Sequence, residues 1–259
     1  MPTHSPLHLV VVPDPPGPID SLLKRLSPSE QAEAHRRPGQ EQRHFVLGRL
    51  AAHAAMRRAL GLGTGSVSTE VTSGPAGEPR SSVDGAPHAV SVSISHVSRL
   101  AAACAWRSAA GYAAGVDLER VRPTCVAESA YVFSRCERTL LSRAPQGPAL
   151  AGLAGWALKE AVWKALWPHQ PPNPATVEIR ALDIATGHAT VAVDRRHVRR
   201  FRRGAIRARV RILEGPDGDY VMAVAEIGGG ATGDEDLATI VQEIACPIES
   251  PRETWLRES

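Results

Sequence analysis

The chain has 259 residues, 43% of them apolar and 22% charged, enough to bury one or two globular cores. Its net charge of +3 is too small to argue for a nucleic-acid partner, and no apolar run reaches the length of a membrane span. Cys104, Cys125, Cys136 and Cys246 are too scattered for a zinc motif or a disulfide framework, and no basic-then-apolar leader opens the chain, so free thiols in a cytoplasmic protein are expected.

His8 to Val12 is a short apolar run and is predicted as a strand, ended by the prolines from Pro13 to Pro18. Ser27-Pro28-Ser29-Glu30 has the form of a helix start, with a capping hydroxyl, a proline at the first position and a glutamate three residues on. A longer helix is predicted from about Gln40 to Leu60, stopped by Gly61 and Gly63. Its basic side, with Arg43, Arg49 and Arg57, is either a solvated face or an attractor for phosphate. Thr64 to Val90 reads as loops with one short strand at Ser68 to Thr72 and a turn at Gly77 to Arg80.

Ala89 to Ile94 alternates like a strand and delivers Ser95-His96, a pair that suits either a phosphate or an ordinary loop. Leu100 to Trp106 and Gly111 to Glu119 are predicted to form a hairpin in that same sheet. Within it, Asp117 and Glu119 point to one face while Val116 and Leu118 point into a core. Two like charges on one face repel unless a cation lies between them; a solvated strand end is the plainer alternative. Oxygen-only ligands of this kind suit magnesium better than zinc.

Thr124 to Val132 reads as helix, and Ser134 with Glu137 caps another. The main helix follows, from roughly Ala149 to Trp167. Leu158, Val162 and Leu166 make its apolar row, while Glu160 and Lys164 share another face. Trp156, Trp163 and Trp167 read as packing residues. Four strands are predicted at Val177 to Leu182, Ala189 to Val193, Ala205 to Leu213 and Tyr220 to Glu226, with a turn at Gly215-Pro216-Asp217-Gly218. Nine arginines fall between Arg195 and Arg211, but in the strand they alternate with Ile206, Ala208, Val210 and Ile212. That is the pattern of a strand with one solvated face, and an acidic partner fits it better than nucleic acid. After Gly228 the periodicity fades, and a loosely docked or poorly ordered tail is expected.

Taken together, Phe45-x-x-Gly48-Arg49, Ser95-His96, Gly115-Val116-Asp117-Leu118-Glu119, Phe133 with Glu137, and Trp156-x-x-Lys159-Glu160-Ala161-x-x-Lys164 resemble the Sfp-type 4′-phosphopantetheinyl transferases. The resemblance covers roughly Leu7 to Glu226. It implies an α+β fold of two similar halves about a pseudo-twofold axis, in a monomer: residues 1–114, then 115–227, with 228–259 as tail. It implies transfer of the phosphopantetheine arm of coenzyme A to a serine of an apo acyl or peptidyl carrier protein, releasing adenosine 3′,5′-bisphosphate. Asp117, Glu119 and Glu160 are then expected to hold Mg²⁺. Glu160 and Lys164 are the expected catalytic residues, Glu160 competing with a metal-bound water for the serine proton. Arg43, Arg49, Arg80, Ser95, His96, Lys159 and Lys164 are expected to contact coenzyme A. The chain departs from the family at Glu78, where a lysine is common, and at Val97, where a serine is common. Two rival readings are a non-catalytic carrier-binding module of the same fold and a metal-dependent hydrolase using His96, Asp117 and Glu119.

Overall fold

The computed structural model describes residues 7–62, 67–87, 90–108, 111–122, 132–166, 173–193 and 206–228. Outside them lie the helix expected from Thr124, Trp167, the arginine run from Arg195 to Arg203, Cys125, Cys246 and the tail after Gly228.

The capping box at Ser27 starts α2 (Pro28–His35) after a short α1 (Asp20–Leu23). Helix α3 (Gly39–Leu60) ends at Gly61, whose φ of 70° only glycine adopts without strain. β1 (His8–Pro13), β6 (Leu100–Arg107) and β5 (Val90–Val97) form one antiparallel sheet with β6 in the centre. α3 covers one face of it, meeting Val10, Val12, Ala101, Ala103 and Ala105. The small side chains on β6 leave room for the helix to sit close.

The second half has a five-stranded antiparallel sheet ordered β7 (Tyr112–Arg120), β11 (Gly218–Gly228), β10 (Ile206–Gly215), β9 (His188–Val193), β8 (Val177–Asp183). Helices α4 (Arg135–Ser142) and α5 (Pro148–Leu166) pack on it. Leu158, Val162 and Leu166 are fully buried there, and each contributes about 1.5–3 kcal/mol of apolar burial.

The other faces of the two sheets meet. Leu9, Val11, Ala102, Cys104 and Trp106 from the first pack against Val116, Leu118, Tyr220, Met222 and Val224 from the second. Val116 and Leu118 therefore face a core, as their alternation with Asp117 and Glu119 predicts.

Two expectations are corrected. β6 and β7 are not a hairpin in one sheet: both edges of β6 are already taken by β1 and β5, so β7 pairs with β11 instead. The short strand expected at Ser68 to Thr72 is present as β2 (Thr69–Ser73), but the stretch around it, read as loops, also holds β3 (Pro79–Val83) and β4 (Ala86–Pro87), which complete a small sheet. Its strands are short and mostly half-exposed, with Val71 as the fully buried anchor, so they carry little periodic signal.

The two halves are buttressed alike. Glu30 is fully buried; its Oε2 accepts from the Ser27 N–H at 3.0 Å, and its Oε1 from the Val71 N–H at 3.0 Å. His53 Nε2 on α3 lies 2.7 Å from the same Oε1. Glu137 repeats this in the second half. It accepts from the Ser134 N–H at 2.7 Å and the Ile179 N–H at 2.8 Å, and pairs with Lys159 Nζ on α5 at 2.8 Å.

Candidate active site

β7 and α5 are brought together by a missing side chain. A Cβ on Gly115 would stand 2.1 Å from the Ala161 carbonyl oxygen and 2.6 Å from the Ala165 nitrogen. Only glycine permits that approach of strand to helix. Two and four residues on, Asp117 and Glu119 lie on the same side of β7 as Gly115.

On α5, Trp156, Glu160 and Lys164 are four residues apart and form one row facing those acids. Its two ends are anchored. Lys164 Nζ donates to Asp117 Oδ1 at 2.6 Å, and Trp156 Nε1 donates to Glu119 Oε1 at 2.8 Å. Glu160 falls between them. Trp156, read as packing from the sequence, thus holds a site carboxylate; its place in the row with Glu160 and Lys164 was the signal.

The other half supplies a contact to Asp117. Ser95 Oγ donates to Asp117 Oδ1 at 2.9 Å and accepts from the Leu118 N–H at 3.2 Å. Ser93 Oγ accepts from the Val116 N–H at 3.2 Å. β7 is the edge strand of its sheet, and these two hydroxyls satisfy amides that no neighbouring strand reaches. Ser95, expected at a phosphate, holds Asp117 and the seam between the sheets.

The carboxylates perturb one another. Burial and the charge of Asp117 push the Glu119 carboxyl up to about 7, against the Trp156 bond and the Lys164 charge, which pull it down. Burial and Asp117 also raise Glu160, opposed by Lys164. Asp117 Oδ2 is buried and has no hydrogen-bond partner among the described residues. Among those residues no three metal-ligating side chains are gathered closely enough to hold an ion as they stand. Lys164 supplies the counter-charge instead. The carboxylates of Asp117, Glu119 and Glu160, the first with an unpartnered buried oxygen, are still the donor chemistry that a hard divalent cation takes.

Two clefts meet at Lys164. One, of about 480 Å³, is lined by Arg49, Ser73, Ser95, His96, Asp117 and Glu119 among others. The second, of about 870 Å³, runs past Arg80, Ser93, Trp106, Tyr112 and Trp163. Both volumes suit a small-molecule ligand. His96 is exposed at the smaller cleft, yet enough protein surrounds its ring to desolvate it. That desolvation, with the charges of His44 and Lys164, holds it down to about 4. It is neutral as the protein stands, and an anion beside it would favour its protonated form.

The remaining predicted contacts fare differently. Arg49 is buried in the smaller cleft, bonded to Ser73 Oγ at 3.1 Å and stacked on Phe45. Arg80 reaches the larger cleft but is paired with Glu78 at 2.7 Å. Arg43 is not brought to the site: Asp14 at 2.7 Å and the carbonyls of Pro15 and Gly17 hold it. Lys159 is 1% exposed and turned toward Glu137, away from both clefts. Glu160 is half-buried and lines neither cleft.

Residues 113–225 match the sequence model of the 4′-phosphopantetheinyl transferase superfamily, a stretch that contains Asp117, Glu119, Glu160 and Lys164. No curated protein matches the chain. Among solved structures, it is similar to a Chronobacterium ammoniagenes ACPS–CoA complex, with 25% identity and a TM-score of 0.31, over 46% of this chain and 98% of that one. It is also similar to an apo-ACPS structure of the same organism, with 22% identity and a TM-score of 0.30, over 45% and 97%. No helix of the described residues is long and apolar enough to cross a membrane.

Proposed function

We propose that this protein transfers the 4′-phosphopantetheine arm of coenzyme A to a serine hydroxyl of an apo acyl or peptidyl carrier protein. Adenosine 3′,5′-bisphosphate is the second product. One observation carries the reading: the acids of β7 meet the Trp156–Glu160–Lys164 row of α5 beside a cleft that Arg49 and His96 also line. The superfamily match over residues 113–225 supports it. So do the matched glutamate buttresses, which are what two halves related by a pseudo-twofold axis would carry. The same reading has the protein acting as a cytoplasmic monomer.

In the reaction the serine oxygen forms a bond to the phosphorus that bears the pantetheine arm. The bond from that phosphorus to the bridging pyrophosphate oxygen breaks, and the serine proton must leave. Glu160, between Trp156 and Lys164 in the row that faces the acids of β7, is the proposed acceptor of that proton. Lys164 sits where the clefts join and would steady negative charge on the leaving oxygen. Asp117, Glu119 and Glu160 would hold Mg²⁺, which when bound neutralises pyrophosphate charge. Arg49 and His96 would meet phosphate at the opposite wall.

Incubation with coenzyme A, Mg²⁺ and an apo carrier should add the mass of the arm to the carrier, and chelation should stop it. No mass shift across fatty-acid, polyketide and peptide carriers overturns the proposal. A non-catalytic carrier-binding module is the second reading, favoured by the ion pair in which Lys164 already neutralises Asp117 at 2.6 Å. Mg²⁺-dependent binding of coenzyme A, measured by calorimetry, separates the two.

A further inference from the structure

Lys159 stands next to Glu160 in sequence, but about 100° around the helix from it. Its ammonium is buried against Glu137 Oε1 at 2.8 Å, the Val132 carbonyl at 3.2 Å and the Phe133 ring at 5.2 Å. Glu137 in turn holds the start of α4 through the Ser134 N–H and the strand β8 through the Ile179 N–H. One carboxylate therefore ties three elements together, and the helix that carries the catalytic row is one of them. A buried charge left without its partner is costly, so the pair tolerates little rotation of α5.

We propose that Lys159 is a positioning residue for the transfer reaction: through Glu137 it sets the rotation of α5 that turns Glu160 and Lys164 toward Asp117, and it does not contact coenzyme A. The inference rests on the function proposed above. The first half supplies a natural comparison. Glu30 and His53 make the same clasp between α2, β2 and α3, where the helix presents no acid to a neighbouring strand acid. Breaking either clasp loosens the fold; breaking the second also moves the reacting groups.

The test is a mutant cycle with Lys159→Met, Glu137→Gln and the double variant, with Lys159→Arg as the conservative replacement and Glu30→Gln as the control. Steady-state transfer and calorimetric binding of coenzyme A are both read. Lys159→Met and Glu137→Gln should each lower kcat by about 100-fold, the scale of a small misplacement of reacting groups. KM and Kd for coenzyme A should stay within about twofold. The double variant should be no worse than the poorer single one, because both remove one contact. Lys159→Arg should recover part of kcat, and Glu30→Gln should lower the unfolding midpoint with kcat within about twofold of wild type. Should Lys159→Met not fold, Lys159→Arg and Glu137→Gln still decide the matter. A Kd for coenzyme A raised about tenfold by Lys159→Met but not by Glu137→Gln makes Lys159 a ligand contact and overturns the proposal. Additive losses overturn it as well. Wild-type protein that modifies no carrier refutes the proposed function instead, and unfolding midpoints across the cycle still read the Lys159–Glu137 coupling.

Discussion

In the first half, α3 meets its sheet through Gly48, where an added Cβ would stand 3.1 Å from Ile94 Cγ2, a side-chain atom. In the second half the close approach is made by the strand: Gly115 lies against the backbone of α5, where an added Cβ would be 2.1 Å from a carbonyl oxygen. Both halves share the glutamate clasp, but only the second presses its helix onto a strand bearing two acids. The clasp belongs to the fold, and the backbone-to-backbone contact belongs to the site. A contact that can yield by a side-chain shift positions an element loosely; one made of backbone on both sides positions it tightly.

Removing the acid that only the second half has should have the largest effect. Asp117→Ala is expected to cut transfer by roughly 10³-fold or more while leaving the thermal unfolding midpoint near wild type. An active variant, judged by carrier mass, would show that Asp117 is not part of the reacting site.

The glycines come next. Gly115→Ala should cost about 3 kcal/mol or more by urea unfolding, since neither neighbour can give way, and should also lower activity. Gly48→Ala should lie within roughly 1 kcal/mol of wild type, because Ile94 can move and alanine is the better helix former. Equal costs at the two positions would break the contrast.

The seam serines sharpen it further. Ser93→Ala and Ser95→Ala each orphan a β7 amide and should each cost about 1–3 kcal/mol. Only Ser95→Ala also removes a hydrogen bond to Asp117, leaving Lys164 as its partner, so only it should change transfer or Mg²⁺ dependence. Matching kinetics for the two variants would deny Ser95 its role at Asp117.

The smallest effect is one of pH, and it should be alike in both halves. Burial pushes Glu30 and Glu137 up, but their hydrogen bonds and cationic partners outweigh it, so both carboxyls lie below the ordinary 4.5. A lowered carboxylate contributes stability that is complete above 4.5 and is lost as pH falls through its folded value. Unfolding midpoints should therefore decline as pH drops from about 5 to about 3, and Glu30→Gln or Glu137→Gln should each flatten that decline. A slope unchanged in either variant would show that its clasp adds nothing to acid sensitivity.

Much of this was legible in the chain itself. Both capping boxes, the end of α3, the start of α5, the apolar row of Leu158, Val162 and Leu166, and the shared face of Asp117 and Glu119 follow from period and cap chemistry, which are local. Glu160 and Lys164 share a face for the same reason. What the sequence could not disclose is which distant group each polar side chain meets. β7 joins β11 because β6 has no free edge. Ser95 turns to Asp117, Trp156 to Glu119 and Lys159 to Glu137, partners 22 to 37 residues away. Strand edges and buried charges are satisfied by competition across the whole molecule, and only the folded chain decides who wins.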